Sequence, residues 1–387
     1  MAVQDAGETA LAALDHAWAH GHAVLPLDPA DDPAVARRTA IALGASTLSG
    51  PDGSEELAQG VAVPPGTALV IQTSGSTTQR RGVVLGHEAL WASVSASLQR
   101  LGCRAGDRWL CVLPLHHVAG VLVALRASAL RTAPIVHAKF DVDQFAAETS
   151  ATHVALVPTM LHRLLQRGVD VARFERILLG GAAASPALLE RARSAGARVT
   201  TTYGMTETAG GCIYDGVPLD GVAVAIDPDA RVLIRGPVLA DGYRTGGDIV
   251  PLTDDGWLRT SDVGHWDDAG RLVVTGRADD VIITGGVNVS AAAVTKLLRR
   301  HPAVQEVAVV GFDDAEWGQR AVAFVVPVDA ASPPTIEQLR DFAGSHGEVA
   351  GALREVVVVD ALPRTALGKL DRTELDRHLG SRRYHRP

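Results

Sequence analysis

The feature that most constrains the fold of this chain is an alternation of short apolar runs with stretches of helical periodicity between residues 67 and 247. The apolar runs are ALVIQT, WLCVLPL, PIVHA, HVALVP, RILLGG and ARVTTTYG, and the helix-like stretches include HEALWASVSASLQRLG and TMLHRLLQRG. Strands that alternate with helices pair in parallel, so the pattern predicts an α/β domain built on a parallel sheet.

The chain on either side of this alternation follows other patterns. A helix is predicted over residues 8–20, and the segment after it is rich in Gly, Pro and Ser. Residues 222–274 carry the strand-like runs VAVAID, RVLIRG, GWLRT and RLVVTG, separated by Asp- and Gly-rich turns. Such turns between apolar runs predict a small β subdomain.

A new pattern begins after the segment GRADD. A helix over residues 290–300, the runs VQEVAVVGF, RAVAFVVPV and REVVVVD, and a helix over residues 335–345 predict a separate α+β unit. The expected fold is a large N-terminal α/β domain with a small β subdomain over residues 1–276, a hinge over residues 277–280, and a small, mobile C-terminal α+β domain over residues 281–387.

The distribution of charge limits the partners of the chain. The formal net charge of −8 is spread along the 387 residues without a Lys- or Arg-rich block, which argues against a nucleic-acid partner. Apolar runs fall short of the roughly 20 residues that a membrane span requires, and the first residues lack a basic region followed by an apolar one. We therefore expect a cytoplasmic protein that does not insert into a membrane.

The sequence argues against a disulfide framework and against a zinc site. Cys103, Cys111 and Cys212 are odd in number and share no CxxC spacing, so they are interpreted as small buried residues. His116 and His117 are adjacent, and neighbours on a strand face opposite sides of a sheet, so they do not predict a metal pair.

Residues 73–82, with the sequence TSGSTTQRRG, follow the strand-like run ALVIQ and precede a helix that begins near His87. Backbone N–H groups, hydroxyl groups and a guanidinium are the donors that hold a polyphosphate. The spacing is not that of a GxxxxGK[ST] loop. By itself, the segment is interpreted either as a phosphate-binding loop or as an ordinary solvated loop.

The segment TTYGMTET at residues 201–208 follows another strand-like run. Tyr203 has a ring that can stack on a purine, Thr206 can donate to a phosphate, and Glu207 has the carboxylate that a magnesium ion prefers. The alternative is a turn in which Glu207 is solvated.

Two further segments carry isolated charges. Asp262 lies near the predicted domain junction, and a carboxylate there suits the two hydroxyl groups of a ribose. Lys369 lies in the loop PRTALGK after the run EVVVVD, and only three of the 36 basic residues are lysine. A compact ammonium in an arginine-rich chain suits a position between a carboxylate and a phosphate, although one of three lysines can also fall there by chance.

Taken together, in this order and spacing, these segments resemble the superfamily of adenylate-forming enzymes, which comprises acyl- and aryl-CoA synthetases, adenylation domains and luciferases. The matching segments are TSGSTTQRRG, TTYGMTET, WLRTSD, GRADDVIITGG and PRTALGK, and the resemblance extends over residues 68–372. Within the superfamily, the segment TYGMTETAGGCIYDGVPLDGV and the short chain look most similar to the o-succinylbenzoyl-CoA synthetases of menaquinone biosynthesis.

The resemblance implies three co-substrates or cofactors and a set of site residues. The implied molecules are ATP, Mg2+ and coenzyme A, with a small carboxylic acid as the substrate; a homodimer is compatible with the resemblance. The residues implied to bind ATP are Thr73, Ser74, Gly75, Ser76, Thr77, Gly82, Gly180, Gly181, Ala182, Tyr203, Gly204, Thr206, Asp262 and Arg277. Those implied in catalysis are Lys369, Arg81 and His117, with Glu207 for the metal, Asp279 for the hinge, and Gly285 and Gly286 for CoA. The acyl pocket is implied to contain His117, Thr159, Gly210, Gly211 and Cys212.

The chain departs from the family pattern at two positions of the phosphate loop. Thr78 stands where the family usually has glycine, and Arg81 stands where it usually has lysine. Arginine keeps the positive charge and offers two donors, so we expect phosphate binding to survive with a different affinity.

The sequence leaves three functions open. The first is a ligase that adenylates o-succinylbenzoate and transfers the acyl group to CoA. The second is a CoA ligase for another aryl or short acyl carboxylate. A cation in the acyl pocket that could bind a second, distal carboxylate would argue against this alternative. The third is a catalytically weak nucleotide-binding homologue, suggested by Thr78 and Arg81.

Overall fold

The fold is that of a computed structural model, which describes residues 1–51, 53–58, 60–73, 81–246, 248–278, 281–284, 287–314, 317–344, 353–365 and 370–383. The chain divides into two compact units. The first comprises Met1–Val224 and Ile234–Leu258, and the second comprises Ala225–Leu233 and Arg259–Pro387. The hinge over residues 277–280 stays a prediction.

Several helices begin after residues that cap them. Asp32, Asp141 and Ser185 each accept a backbone N–H from the first turn of the helix that follows, and proline occupies the first turn after Asp32 and Ser185. None of the helices in the described ranges is long and apolar enough to cross a membrane. The helices are α1 (Gly7–Ala19), α2 (Pro33–Ala42), α3 (His87–Leu101), α4 (Val118–Ala129), α5 (Val142–Ala147), α6 (Pro158–Gln166), α7 (Pro186–Ser194), α8 (Ala291–Leu298), α9 (Ile336–Gly344) and α10 (Arg372–Arg383).

A seven-stranded sheet forms the centre of the first unit, in the order β13-β12-β11-β10-β9-β7-β8. Its strands are β7 (Trp109–Cys111), β8 (Ile135–Val136), β9 (His153–Leu156), β10 (Arg176–Leu179), β11 (Val199–Met205), β12 (Gly210–Tyr214) and β13 (Val217–Pro218). Strands β11, β10, β9, β7 and β8 are parallel, whereas β12 and β13 are antiparallel additions at one edge. The parallel α/β fold predicted from the sequence is confirmed.

A separate antiparallel sheet has the order β17-β16-β6-β5. Its strands are β5 (Thr67–Thr73), β6 (Arg81–Gly86), β16 (Gly242–Thr245) and β17 (Asp248–Pro251). The prediction that the run ALVIQT belongs to the parallel sheet is wrong, because β5 pairs antiparallel with β6, the next strand along the chain. A connection of only a few residues can join antiparallel strands but not parallel ones.

Two four-stranded sheets complete the part before residue 278. One has the order β2-β1-β3-β4 and the other β14-β15-β18-β19, which confirms the predicted strands of the β subdomain. The strands are β1 (Ala2–Val3), β2 (Leu25–Pro26), β3 (Thr47–Gly50), β4 (Gly53–Glu56), β14 (Ala223–Ile226), β15 (Arg231–Arg235), β18 (Leu258–Trp266) and β19 (Leu272–Arg277).

The last part of the chain is the predicted α+β unit. Its strands are β20 (Val281–Thr284), β21 (Val287–Ser290), β22 (Val304–Asp314), β23 (Gly318–Pro327) and β24 (Leu353–Val358). Alternate residues of β22 and β23 pack on opposite sides of the sheet: one set joins a core with α8 and α9, and the other joins a core with Leu375 and Leu379 of α10.

Candidate functional site

Four parallel strands bring predicted residues to the same edge of the central sheet. His117 follows β7, Thr159 follows β9, residues 180–182 follow β10, and Thr206 and Glu207 follow β11. The strands β11, β10, β9 and β7 are neighbours in that order and run in the same direction. Carboxyl ends of parallel strands form the crevice in which open α/β sheets bind ligands, so these residues belong to one candidate site.

Glu207 is held in place by two contacts outside its own motif. The hydroxyl of Tyr243 donates a hydrogen bond of 2.8 Å to its Oε1 atom, and the backbone N–H of Ala240 donates one of 2.9 Å to its carbonyl oxygen. Burial, together with the Glu207 carboxylate, raises the pKa of Tyr243 above its usual value, so the hydroxyl stays a donor. Among the described residues, none donates to Oε2 of Glu207, and this oxygen suits Mg2+.

Arg81 contacts the ring of the same tyrosine. Its guanidinium carbon is 4.0 Å from the centroid of the Tyr243 ring, within the range of a cation–π interaction. Tyr243 pairs with Val83 across β16 and β6, which places it diagonally from Arg81 on the same face of the sheet. Arg81, Tyr243 and Glu207 thus form one row of charged and polar groups.

The predicted phosphate loop is the connection of a β-hairpin. Thr73 and Arg81 are opposite each other at the ends of β5 and β6, and residues 74–80 between them lie outside the described residues. Gly82 allows the strands to approach closely, since a Cβ atom there would lie 2.5 Å from Cγ1 of Val70. The loop therefore begins and ends beside the Arg81–Tyr243 contact.

The segment TYGMTETAGG has no room for a Cβ atom at three of its glycines. A Cβ atom on Gly204 would lie 2.1 Å from the carbonyl oxygen of Gly210, because β11 and β12 cross closely at an irregular pairing. Gly210 has φ of +83°, and a Cβ atom there would lie 2.4 Å from Cδ1 of Leu122. Gly211 likewise leaves room for Thr202, at 2.9 Å. These glycines shape the turn after Glu207, whatever they contact in a bound substrate.

Thr208 and Ser93 fix this turn, and the sequence assigned neither a role. The Oγ1 atom of Thr208 accepts the Met205 N–H at 2.9 Å and donates to the Gly210 carbonyl at 2.7 Å. The Ser93 hydroxyl donates 2.7 Å to the carbonyl of Ala209, a residue with φ of 45°. Both hydroxyl groups belong to fully buried residues, so they hold the backbone that carries Glu207.

His117 is the residue that precedes α4, in a turn rather than on a strand. The rings of His116 and His117 have centroids 4.3 Å apart, so the expectation that they face opposite sides is wrong. That expectation assumed an extended strand, which ends at Cys111. Nε2 of His116 lies 3.7 Å from Oδ2 of Asp28, and burial lowers the pKa of His116 below its usual value against the opposing effect of that carboxylate.

The remaining predicted residues of the first unit differ in exposure. Thr159 is half-buried in the first turn of α6, and Tyr203 is half-buried on β11. Gly181 and Ala182 are exposed after β10. Cys212 is fully buried, which confirms its interpretation as a buried cysteine and raises the pKa of its thiol to about 11.

A buried arginine lies among neutral groups between α4 and the amino end of β7. Arg126 of α4 is 4% exposed, and its Nε donates 2.9 Å to the hydroxyl of Ser97. Its Nη2 lies 3.4 Å from the hydroxyl of Tyr214, and its guanidinium carbon lies 5.3 Å from the ring centroid of Trp109. No carboxylate within the described ranges forms an ion pair with Arg126. The signal for it in the sequence is a single charge inside the apolar helix VAGVLVALRASA.

In the second unit, Asp262 and Arg277 are cross-strand partners of β18 and β19. Nη1 of Arg277 lies 4.0 Å from Oδ1 of Asp262, at the outer limit of an ion pair. The backbone N–H of Asp262 donates 3.1 Å to Oγ1 of Thr260, whose hydroxyl donates 2.8 Å to the carbonyl of Val232. The two predicted residues are therefore adjacent, with the carboxylate the more buried of the two side chains.

Several predicted residues lie outside the described residues: Ser74, Gly75, Ser76, Thr77, Asp279, Gly285, Gly286 and Lys369. Their flanks are described for two of the loops. Thr284 pairs with Val287 on either side of residues 285–286, and Arg364 forms an antiparallel bridge with Leu370 on either side of residues 365–369.

Comparison with known families assigns the family and the fold. Residues 9–243 match the AMP-binding enzyme family, and residues 294–369 match the AMP-binding enzyme C-terminal domain. The chain belongs to the AMP-binding enzyme family. The adenylate-forming resemblance inferred from the sequence is confirmed, as are the large N-terminal and small C-terminal domains of the fold class.

Individual members of the family are similar over most of their length. A probable 2-succinylbenzoate–CoA ligase of Mycobacterium tuberculosis is 40% identical over 323 residues, which cover 80% of this chain and 84% of the relative. The o-succinylbenzoate CoA synthetase of Bacillus subtilis in complex with its acyl-adenylate intermediate has a TM-score of 0.82 at 26% identity, with 97% of this chain and 87% of that chain covered. The same enzyme in complex with ATP and magnesium ion has a TM-score of 0.80 at 25% identity, with 97% and 88% covered.

Proposed function

We propose that this chain is an ATP-dependent acid–thiol ligase that adenylates o-succinylbenzoate and transfers the acyl group to CoA. The products are o-succinylbenzoyl-CoA, AMP and pyrophosphate, in a step of menaquinone biosynthesis. The similarity to ligases of this name over most of both chains supports the acid and the reaction class. The observation that carries the chemistry is the row formed by Arg81, Tyr243 and Glu207 at the carboxyl edge of the parallel sheet.

In the first reaction, a carboxylate oxygen of the acid attacks the α-phosphorus of ATP. A new oxygen–phosphorus bond forms, the bond to the β-phosphate oxygen breaks, and pyrophosphate leaves. Arg81 and the N–H groups of residues 73–82 offset the charge that develops on the leaving group. Such preorganised donors contribute on the order of 3 kcal/mol each in comparable sites.

Glu207 is the proposed residue for the magnesium ion that accompanies ATP. Its Oε1 is already used by Tyr243, and Oε2 is the oxygen left for the cation. When bound, Mg2+ neutralises phosphate charge. Tyr243 keeps the carboxylate from rotating, because its hydroxyl is fixed by the Arg81 contact on its ring. This arrangement retains the function of a cation at position 81 although the family usually has lysine there.

Lys369 is the proposed catalytic residue of adenylation. An ammonium group between the attacking carboxylate and the α-phosphate offsets the repulsion between two anions. Tyr203 is proposed to stack on the adenine, and Asp262 to accept from the ribose hydroxyls. These roles rest on the family motifs and on the placement of both side chains next to backbone that is fixed by hydrogen bonds.

In the second reaction, the CoA sulfur attacks the carbonyl carbon of the acyl adenylate. A carbon–sulfur bond forms, the bond to the AMP oxygen breaks, and the thiol proton passes to solvent. We propose that the C-terminal domain, from residue 281 onward, turns about Asp279 between the two reactions. That rotation would remove Lys369 and bring Gly285 and Gly286 to the pantetheine.

Arg126 is the proposed partner of the second carboxylate of o-succinylbenzoate. A buried guanidinium among Ser97, Tyr214 and Trp109 has only neutral partners in the described structure, so an incoming carboxylate gains a charge-assisted hydrogen bond. Arg126 lies one helical turn after Leu122, which packs against Gly210 of the proposed acyl pocket, and its guanidinium contacts Trp109 at the amino end of β7. The proposed pocket therefore extends from the carboxyl edge of the sheet inward along α4. A monocarboxylate such as benzoate cannot satisfy both this cation and the reacting centre.

The test is product formation by the purified chain with ATP, Mg2+, CoA and one acid at a time. We expect o-succinylbenzoyl-CoA and AMP to form with o-succinylbenzoate, and little thioester with benzoate or a short fatty acid. Preference for another acid would support the ligase reaction and contradict the assignment of o-succinylbenzoate as its substrate. The absence of any acid-dependent product would indicate a nucleotide-binding homologue. The homodimer stays a prediction, which sedimentation of the same preparation would test.

A further inference from the structure

Three side chains with metal-binding atoms meet in the first unit, next to Trp109, whose ring centroid lies 5.0 Å from that of His153. Cys103 follows α3, Asp107 precedes β7, and His153 is the first residue of β9. Sγ of Cys103 lies 3.5 Å from Nε2 of His153, which lies 3.9 Å from Oδ2 of Asp107. All three atoms lie within 4.8 Å of one another, and no other such group of three occurs in the described part of the chain.

Thr152 positions the ring of His153. Nδ1 of His153 lies 2.8 Å from Oγ1 of Thr152, which also accepts the backbone N–H of Arg108 at 2.8 Å and lies 3.2 Å from the Arg108 carbonyl oxygen. Either the hydroxyl or Nδ1 can donate in the contact with His153. A metal ion at Nε2 requires the tautomer in which Nδ1 is the donor.

This arrangement differs from that of a nucleophilic cysteine. In a catalytic triad the nucleophile and the carboxylate face different nitrogens of the histidine. Here the thiol and the carboxylate both face Nε2, and Nδ1 faces a hydroxyl.

The same arrangement matches the first shell of a tetrahedral metal ion. With metal–ligand bonds of roughly 2.0–2.3 Å, neighbouring ligands of a tetrahedral zinc ion are about 3.3–3.6 Å apart. The Sγ–Nε2 distance of 3.5 Å already lies in this range. Oδ2 of Asp107 lies 3.9 Å from Nε2 and accepts the backbone N–H of Arg104 at 2.7 Å, so it would move about 0.5 Å closer to Nε2. With Nδ1 as the donor, the contact between Nδ1 and Thr152 is the outer contact that metal-bound histidines usually make.

We propose that Cys103, Asp107 and His153 form a binding site for one divalent ion of the zinc type, with a fourth position open to water. The site lies at the amino ends of β7 and β9, whereas the proposed nucleotide site lies at their carboxyl ends. The Cys103 side is half-buried and the Asp107 side chain is 14% exposed, so an ion can enter from solvent. The bound ion would join the end of α3 to the start of β9.

The test is a titration of the metal-depleted full-length chain with Co2+ in the absence of nucleotide. We expect one equivalent to produce a thiolate-to-cobalt charge-transfer band and the strong visible bands of four-coordinate cobalt, and Zn2+ to abolish both. Cys103→Ser should remove the charge-transfer band, and Asp107→Asn should weaken binding by at least about tenfold. Cys111→Ala, which removes a thiol from the buried core, should leave the band unchanged.

A second measurement separates binding from misfolding of a variant. Zn2+ should raise the midpoint of thermal unfolding of the unmodified chain and of Cys111→Ala, but not that of Cys103→Ser, because a ligand stabilises only the state that binds it. The proposal is overturned if the unmodified chain gives no thiolate band. It is also overturned if the band survives Cys103→Ser, or if Asp107→Asn binds with unchanged affinity.

Discussion

The hydroxyl of Tyr243 donates a 2.8 Å hydrogen bond to Oε1 of Glu207, which is 36 residues earlier in the chain. We predict that Tyr243→Phe lowers kcat/KM for ATP by about tenfold, since a hydrogen bond to a charged group contributes roughly 1.5–3 kcal/mol. The variant should also require more Mg2+, because the Glu207 carboxylate is no longer held. Initial rates at several Mg2+ concentrations measure both effects.

The variant Tyr243→Leu provides the matched comparison. It removes the ring beneath Arg81 as well as the hydroxyl, so it should be more defective than Tyr243→Phe. An unchanged Mg2+ dependence in Tyr243→Phe would contradict the role of this hydroxyl in positioning Glu207.

Arg126 offers a test of acid selectivity. We predict that Arg126→Met lowers kcat/KM for o-succinylbenzoate by about 10- to 100-fold, because the second carboxylate loses its cation. Arg126→Lys should retain part of the activity. The control substrates are benzoylpropionate and butyrylbenzoate, which each lack one of the two carboxylates. Equal losses with all three acids would show that Arg126 supports the fold and does not select the acid.

Lys369 should separate the two reactions. We predict that Lys369→Ala abolishes acyl-adenylate formation, since no ammonium group then bridges the two anions. Thioester formation from supplied o-succinylbenzoyl-AMP and CoA should persist within a few-fold of the original rate. Quenched-flow measurements of each half-reaction make this comparison. An equal loss of both half-reactions would contradict a role of Lys369 in adenylation alone.

Arg244 is expected to affect stability. This arginine is 1% exposed, and its Nη2 donates 2.7 Å to the carbonyl of Val61, with longer contacts to those of Gly44 and Ala62. Arg244→Met removes the charged donor that bonds the Val61 carbonyl and contacts the Gly44 carbonyl, so we predict a loss of about 2–3 kcal/mol in the free energy of unfolding. Urea unfolding measures this loss.

Arg235→Met is the control for that measurement. Arg235 is exposed and lies 5.3 Å from the ring centroid of Trp257, so its loss should cost less than about 1 kcal/mol. A similar cost for both variants would contradict the importance of burial at Arg244.

The sequence predicted the elements whose signals are local. The alternation of strands and helices identified the parallel sheet, and the segment TTYGMTET identified Glu207 at its carboxyl edge. Strand β6 was hidden because the run RGVVLG directly follows the Ser- and Thr-rich loop. As a result, β5 was assigned to the wrong sheet.

Contacts between distant segments could not be predicted in this way. Tyr243 reaches Glu207 only because β16 pairs with β6, a pairing that hydrophobic periodicity does not specify. Cys103 and His153 are 50 residues apart, so a search for closely spaced ligands passes over them. Arg126 was detectable in principle, since a single charge within an apolar helix requires an explanation.

The central claim is that this chain activates o-succinylbenzoate as an acyl adenylate. Its most direct test is isotope exchange between pyrophosphate and ATP with the purified chain and Mg2+, with CoA omitted so that only the first reaction is measured. We predict that exchange requires o-succinylbenzoate and is abolished by Lys369→Ala. Exchange that does not depend on any acid, or no exchange with o-succinylbenzoate at saturating ATP, would contradict the claim.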